Sequence, residues 1–101
     1  MIIESQMTWA QGRIRLSAST YSNGRMALLA SDPTTGEPVA KLTVNVPHVD
    51  LAPGEIILKD WSENEGAYET LEAAGLIELT GRSIICGFEL AEICRWLGGA
   101  L

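Results

Sequence analysis

Clustered carboxylates are the residues of this chain whose type and spacing best suit chemistry. Five lie between residues 60 and 72 without a lysine or arginine among them: Asp60, Glu63, Glu65, Glu69 and Glu72. Paired carboxylates act as acid and base in glycosidases, but that chemistry needs a substrate cleft, which a chain of 101 residues can hardly build. A calcium loop needs oxygen ligands alternating around a glycine turn, whereas the pattern here is that of a helix. The cluster is therefore interpreted either as a docking surface for a basic partner or as a solvated face that confers solubility.

The other reactive side chains lack partners for catalysis or metal binding. His48 is the only histidine, so neither a catalytic triad nor a zinc site is expected around it. Cys86 and Cys94 each follow an isoleucine, in settings where a free cysteine commonly behaves as a small hydrophobe. The sequence thus predicts a non-enzymatic protein without a metal or cofactor. A pocket around His48, Asp50 and Tyr68 would instead favour a small enzyme.

Length and charge narrow the function further. A chain of 101 residues predicts a single domain, residues 1–101. Residues 50–80 carry eight carboxylates against one lysine, within a net charge of −6. Direct binding to nucleic acid is therefore disfavoured, whereas binding to a basic protein surface is allowed. Because the N-terminus lacks the pattern of a signal peptide and no apolar run is long enough to span a membrane, a cytoplasmic protein is expected.

Helix signals surround the carboxylates. Ser62 and Glu65 have the spacing of a capping box, and Asp60 adds negative charge near the helix start. Gly75 is a natural C-terminal cap, so the main helix is predicted over about residues 63–74. At about 100° per residue, one stripe of this helix is apolar and the opposite face is acidic. The apolar stripe holds Ala67, Leu71 and Ala74, flanked by Tyr68, and the acidic face holds Glu65, Glu69 and Glu72.

Alternating apolar and polar residues predict strands in the rest of the chain. The first three form an antiparallel meander, at residues 13–20, 25–31 and 39–46. Shorter strands are predicted at residues 55–59, 76–79 and 83–86. Residues 88–97 have apolar side chains at helical spacing, which favours a short C-terminal helix over a final edge strand. The predicted fold class is α+β, a mostly antiparallel sheet packed by one main helix.

Several segments of the chain are distinctive, at residues 21–28, 35–38, 42–45 and 59–66, and above all the stretch Ser62-Glu63-Asn64-Glu65-Gly66. In these segments the chain resembles a family of uncharacterised small bacterial proteins carried on plasmids, integrative elements and prophages. The resemblance implies no activity and no functional residue. The mobile-element context implies an accessory or counter-defence role, such as that of anti-CRISPR and anti-restriction proteins.

Two hypotheses for function follow. In the first, the chain binds a host macromolecule and inhibits a CRISPR–Cas or other defence component, because its acidic helix face occupies a basic, nucleic-acid-binding groove. Its contacts would be the five carboxylates named above. In the alternative, the chain is a homo-oligomeric scaffold of a mobile element, such as a homodimer, that uses a sheet edge or its apolar C-terminus. The C-terminal contacts would be Trp96, Leu97 and Leu101.

Overall fold

Two antiparallel four-stranded sheets and one short helix make up the computed structural model, which describes residues 1–101. The first sheet contains, in hydrogen-bonded order, β1 (Ile2–Met7), β2 (Ala10–Thr20), β3 (Met26–Ser31) and β4 (Pro38–Lys41). The second contains β5 (Thr43–Val44), β6 (Glu55–Leu58), β7 (Ile77–Cys86) and β8 (Glu89–Trp96), in the order β5-β6-β8-β7. Between β6 and β7 the chain forms a 3₁₀ turn, Ser62–Asn64, and the helix α1, Ala67–Ala73. This architecture confirms the predicted α+β class.

The alternation of apolar and polar residues explains why the central strands of the first sheet form. Ile14 and Leu16 of β2 are buried, whereas Arg13 and Arg15 are exposed, as a period of two predicts. The turn between β2 and β3 contains Gly24 at φ 86°, a conformation that favours glycine. The first two strands of the predicted meander therefore form as expected, and the turn lies where the sequence indicates it.

The strand β1 has no counterpart among the predicted strands. It pairs with β2 along its whole length, from Ile2 opposite Arg15 to Met7 opposite Ala10. Its buried positions include Ser5, a polar residue that is only 6% exposed. Because a polar side chain occupies an inward position, the apolar alternation that identifies a strand is weak here.

The predicted strand at residues 39–46 divides at Leu42. β4 ends at Lys41 in the first sheet, and β5 begins at Thr43 in the second. The Leu42 N–H donates to the Leu28 carbonyl of β3 at 2.8 Å, and the Leu42 carbonyl accepts the Lys59 N–H at 2.8 Å. Leu42 thus carries the chain from one sheet to the other, and the alternation of a single strand does not continue past it.

The space between the two sheets is filled by one apolar cluster. Leu16 and Leu28 come from the first sheet, Ile56 and Leu58 from the second, and Leu71 from α1. A smaller cluster covers the opposite face of the second sheet: Ile57, Ala91 and Ile93, with Val46, Val49 and Leu51 packed against them. The second sheet is therefore covered on both faces.

Residues 88–97 form a strand, so the favoured prediction of a short C-terminal helix is wrong. β8 lies between β6 and β7, which also makes it an interior strand and not the edge strand of the alternative. Its adjacent residues Ile93 and Cys94 are both buried, one in each apolar cluster. When both faces of a sheet are covered, apolar residues occur consecutively, and here they mimic helical spacing.

The helix α1 is shorter than the predicted span of residues 63–74, and the predicted capping box is wrong. Ser62 has a positive φ of 54°, and no side chain caps the 3₁₀ turn that it begins. Gly66 then adopts a left-handed conformation, at φ 98°, immediately before α1. It passes so close to β1 that a Cβ at this position would lie 2.6 Å from the Gln6 carbonyl oxygen. The helix therefore starts only after the chain has turned at Gly66.

Hydrogen bonds fasten this region to β1. The Gln6 N–H donates to Thr70 Oγ1 at 2.7 Å. The Thr8 N–H, just after β1, donates to the Glu65 carbonyl at 2.9 Å. These bonds fix α1 against the edge of the first sheet.

Replacement of Gly66 by alanine is expected to destabilise the protein more than replacement of Gly75, which also has a positive φ, 71°. A Cβ at Gly66 meets the backbone of β1, whereas one at Gly75 meets nothing within 4 Å. We expect Gly75→Ala to lower the free energy of unfolding by about 1 kcal/mol and Gly66→Ala by about 3 kcal/mol or more. Urea unfolding measures both losses. Equal losses would contradict the close approach of Gly66 to β1.

Candidate functional site

Asp60 faces the start of α1 instead of solvent. Its Oδ1 accepts hydrogen bonds from the Gly66 N–H at 3.0 Å and the Tyr68 N–H at 3.3 Å. Partial burial raises the pKa of Asp60, and the charge of Glu69 raises it further, against the lowering effect of the backbone amides of Tyr68, Gly66 and Ala67. Asp60 therefore supplies the helix cap that the sequence assigns to Ser62, and it is not a freely projecting contact residue.

Glu63 does not carry an uncompensated charge. Lys59, four residues earlier, forms an ion pair with its carboxylate. The hydrogen bond from Lys59 lowers the pKa of Glu63 below its ordinary value. Glu63 is therefore the one predicted contact residue whose charge is compensated, by a lysine just outside the 60–72 segment.

The remaining predicted contacts, Glu65, Glu69 and Glu72, are exposed and form no ion pair. Glu65 precedes α1, so it does not share the helical face predicted for it. Glu69 and Glu72 lie on α1, and together we call them the acidic rim. The Tyr68 hydroxyl donates to the Glu72 carboxylate, and this bond raises the pKa of Tyr68 to about 12. Tyr68 is therefore neutral at physiological pH, and its ring is held beside the rim.

A groove of about 300 Å³ opens between the start of α1 and the second sheet. We call it the acidic groove, because three carboxylates line it and no lysine or arginine does. The carboxylates are Asp60, Glu89 and Glu92. The other lining residues are aromatic or aliphatic: Leu58, Trp61, Tyr68, Leu79 and Leu90.

Glu89 and Glu92 are functional candidates that the sequence analysis misses. Both belong to β8 and line the groove because β8 lies beside β6 in the sheet. Glu92 shares the inner face of β8 with Cys94, whereas Glu89 lies opposite Cys86 at the start of the strand. The two arginines nearest to them in sequence are engaged elsewhere, Arg82 with Glu55 and Arg95 with Glu78. The local sequence gives no sign that these carboxylates share a groove, because Asp60 lies 29 residues before Glu89 and 32 before Glu92.

The arrangement suits recognition of a cation. Carboxylates that are partly withdrawn from water attract a guanidinium or ammonium group more strongly than fully solvated ones do. The ring of Tyr68 adds a face on which a cationic side chain can stack, whereas Trp61 packs against the smaller apolar cluster. Cys94, behind the groove, has its pKa raised to about 11, first by burial and then by the charges of Glu92 and Asp60. Its thiol is therefore neutral and unsuited to nucleophilic chemistry.

A second cavity, of about 430 Å³, lies between the β2–β3 turn and residues 51–56. Its charged residues are already paired within the chain. Arg25 donates to the carbonyls of Val46 and Val49, and Glu55 is held by Arg82. The acidic groove is the better candidate site, because none of its carboxylates forms an ion pair.

The C-terminal residues predicted as oligomer contacts differ in exposure. Trp96 packs against the main apolar cluster, and its indole N–H donates to the Gly99 carbonyl at 2.8 Å. Trp96 is therefore engaged within its own chain, whereas Leu97 and Leu101 are exposed. The three residues of the enzyme alternative do not share a pocket, because Tyr68 lines the acidic groove and His48 and Asp50 line no cavity. The histidine, cysteine and acidic side chains form no group with the arrangement of a metal site.

No protein-family model, curated protein or solved structure matches this chain significantly. None of its helices has the length and apolar character needed to cross a membrane.

Two replacements of Asp60 distinguish what its capping hydrogen bonds contribute to stability from what its charge contributes. In Asp60→Asn, the amide oxygen can accept the same two N–H groups, so we expect the free energy of unfolding at pH 7 to change by less than about 0.5 kcal/mol. In Asp60→Ala both bonds are lost, and we expect a decrease of about 1 kcal/mol. Urea unfolding measures both values. An Asn variant as unstable as the Ala variant would contradict the capping role.

The raised pKa of Asp60 also predicts a pH dependence. The folded chain binds a proton at Asp60 at higher pH than the unfolded chain, in which the pKa is near the ordinary value of 3.8. The stabilisation is therefore complete below about pH 4 and is lost as pH rises through the raised folded pKa. Relative to Asp60→Asn, the wild-type protein should gain stability as pH falls from 7 to 4. A relative stability that increases with pH would contradict this assignment.

Proposed function

We propose that this protein is a binding module whose acidic groove receives a basic side chain of a partner protein. The observation that carries the proposal is the composition of the groove: Asp60, Glu89 and Glu92 line it together with Tyr68, and no lysine or arginine is among the lining residues. None of the residues that form the three ion pairs of the protein lines the groove. A guanidinium from a partner would supply the missing charge and stack on Tyr68.

The acidic rim supports the same interaction at longer range. Glu69 and Glu72 extend the negative surface from the groove along α1, and both are exposed. Within a net charge of −6, such a surface attracts basic partners and speeds their encounter. In this proposal the groove provides affinity and the rim provides steering.

The resemblance to mobile-element proteins suggests the class of partner. We propose a host protein whose basic surface ordinarily binds nucleic acid, such as a CRISPR–Cas or other defence component. The chain would inhibit it by competing with phosphate groups for the same lysines and arginines. We propose the cytoplasm as the compartment, where free thiols such as those of Cys86 and Cys94 are stable.

Charge reversal in the groove tests the proposal. The probe is a synthetic peptide with alternating arginine and leucine residues, titrated by calorimetry. We expect Glu89→Lys with Glu92→Lys to weaken binding at least about tenfold, because the groove then repels the guanidinium. The matched control is Glu4→Lys with Glu37→Lys, which changes the net charge equally and leaves the groove intact. If both double variants lose affinity equally, only the net charge matters and the groove is not the site.

Reversal of the acidic rim should have a different kinetic effect. In Glu69→Lys with Glu72→Lys, we expect the association rate at low salt to fall by about tenfold and the dissociation rate to change little. The difference from wild type should shrink as salt is added, because exposed charges are screened. Stopped-flow measurements over a salt series follow both rates. A change confined to the dissociation rate would place the rim inside the contact and contradict the steering role.

A further inference from the structure

The strand β7 forms a free edge of the second sheet. Its only strand neighbour is β8, and no backbone group outside β8 forms a hydrogen bond with residues 83–86. The other end of β7 is separated from this segment by a register shift between Leu79 and Ser83. Such an irregularity limits pairing on the edge to a short stretch. Residues 83–86 are therefore a short, regular and unoccupied edge.

The hairpin turn determines which backbone groups of this edge are available. A loop of two residues, Gly87 and Phe88, connects Cys86 to Glu89, which are opposite each other. In such a hairpin the pair that flanks the loop is hydrogen-bonded, and bonded pairs then alternate with non-bonded ones. The N–H and C=O groups of Ser83 and Ile85 consequently point away from β8, towards a further strand.

The side chains of this edge lack the features that usually block association. Exposed edge strands are commonly protected by charged residues or proline. Residues 83–88 contain none of these, and Ile85 is 79% exposed. Phe88 is fully exposed, and Leu90 beside Ile85 is 62% exposed. The free edge is therefore bordered by an exposed apolar patch.

We propose that residues 83–86 pair antiparallel with the same segment of a second copy of this chain. With Ile84 opposite its own copy, Ser83 lies opposite Ile85 on both sides of a twofold axis, and each such pair exchanges both of its free hydrogen bonds. The second sheet of one copy and the second sheet of the other then form one continuous sheet.

Charge favours a second copy at this edge over a basic partner. A twofold axis brings each side chain near its own copy, which is unfavourable for charged residues and harmless for neutral ones. Residues 83–86 are Ser, Ile, Ile and Cys, so no like charges meet, and no carboxylate is present to attract a basic strand. None of the four residues lines the acidic groove, so this contact is independent of the proposed function.

Sedimentation over a wide range of concentration tests the contact. We expect the mass to rise from 10.9 kDa towards twice this value as concentration increases. Ile85→Lys should shift the protein to monomer, because an edge lysine blocks strand addition. The control Trp9→Lys places the same charge on a comparably exposed apolar side chain, 75% against 79%, between β1 and β2 and away from this edge, and it should remain dimeric. A monomer at every concentration, or a dimer that Ile85→Lys does not weaken, would overturn the proposal.

Disulfide trapping tests the register. The proposed pairing brings the two copies of residue 84 together as a non-bonded pair, with Cα atoms about 4.5 Å apart, a separation that a disulfide can span. In a Cys86→Ser background, Ile84→Cys should form a covalent dimer under mild oxidation, whereas Ser83→Cys should not, because it lies opposite residue 85. Circular dichroism checks the fold of each variant. Equal trapping of both would overturn the register, and neither result affects binding of the arginine peptide to the groove.

Discussion

The peptide groups around Leu42 hold the structure together. The Leu42 N–H bonds to β3, its carbonyl bonds to the residue after β6, and its side chain is fully buried between the sheets. The preceding carbonyl, of Lys41, accepts the Asn64 side-chain amide at 2.6 Å, which anchors the 3₁₀ turn. Buried backbone groups are costly to leave unpaired, so this short segment must contact both sheets and the turn at once. The position of Asp60, and with it the acidic groove, depends on that junction.

The groove itself combines structural and binding demands in one residue. Asp60 caps α1 and also contributes charge to the groove, and burial raises its pKa. An uncharged cap would satisfy the helix equally well. Asp60 instead places a partly buried negative charge near Glu92 and the acidic rim. This charge makes the electrostatic potential of the surface more negative, and it lowers the local stability.

Sequence patterns predict the α+β class, the strands β2, β3 and β6 and the exposure of Glu69 and Glu72, because these depend on local periodicity. The two short strands predicted at residues 76–79 and 83–86 form the single strand β7. These patterns fail where contacts between residues distant in sequence determine the local conformation. The 39–46 segment crosses between sheets at Leu42, and β8 is apolar on both faces and so resembles a helix. The capping box is displaced because Gly66 must turn away from β1. Glu89 and Glu92 enter the site through strand order, which no local pattern in the chain encodes.

The bond between Gln6 and Thr70 joins residues that are 64 positions apart. Until Thr70 has been synthesised, the outer side of β1 has no partner on α1, and until β8 has been added, one wall of the groove is missing. Contacts between residues so distant in sequence form slowly, because bringing the two residues together costs conformational entropy of the chain between them. The first sheet can therefore assemble early during translation, whereas the binding surface is completed only when the chain is almost entirely made.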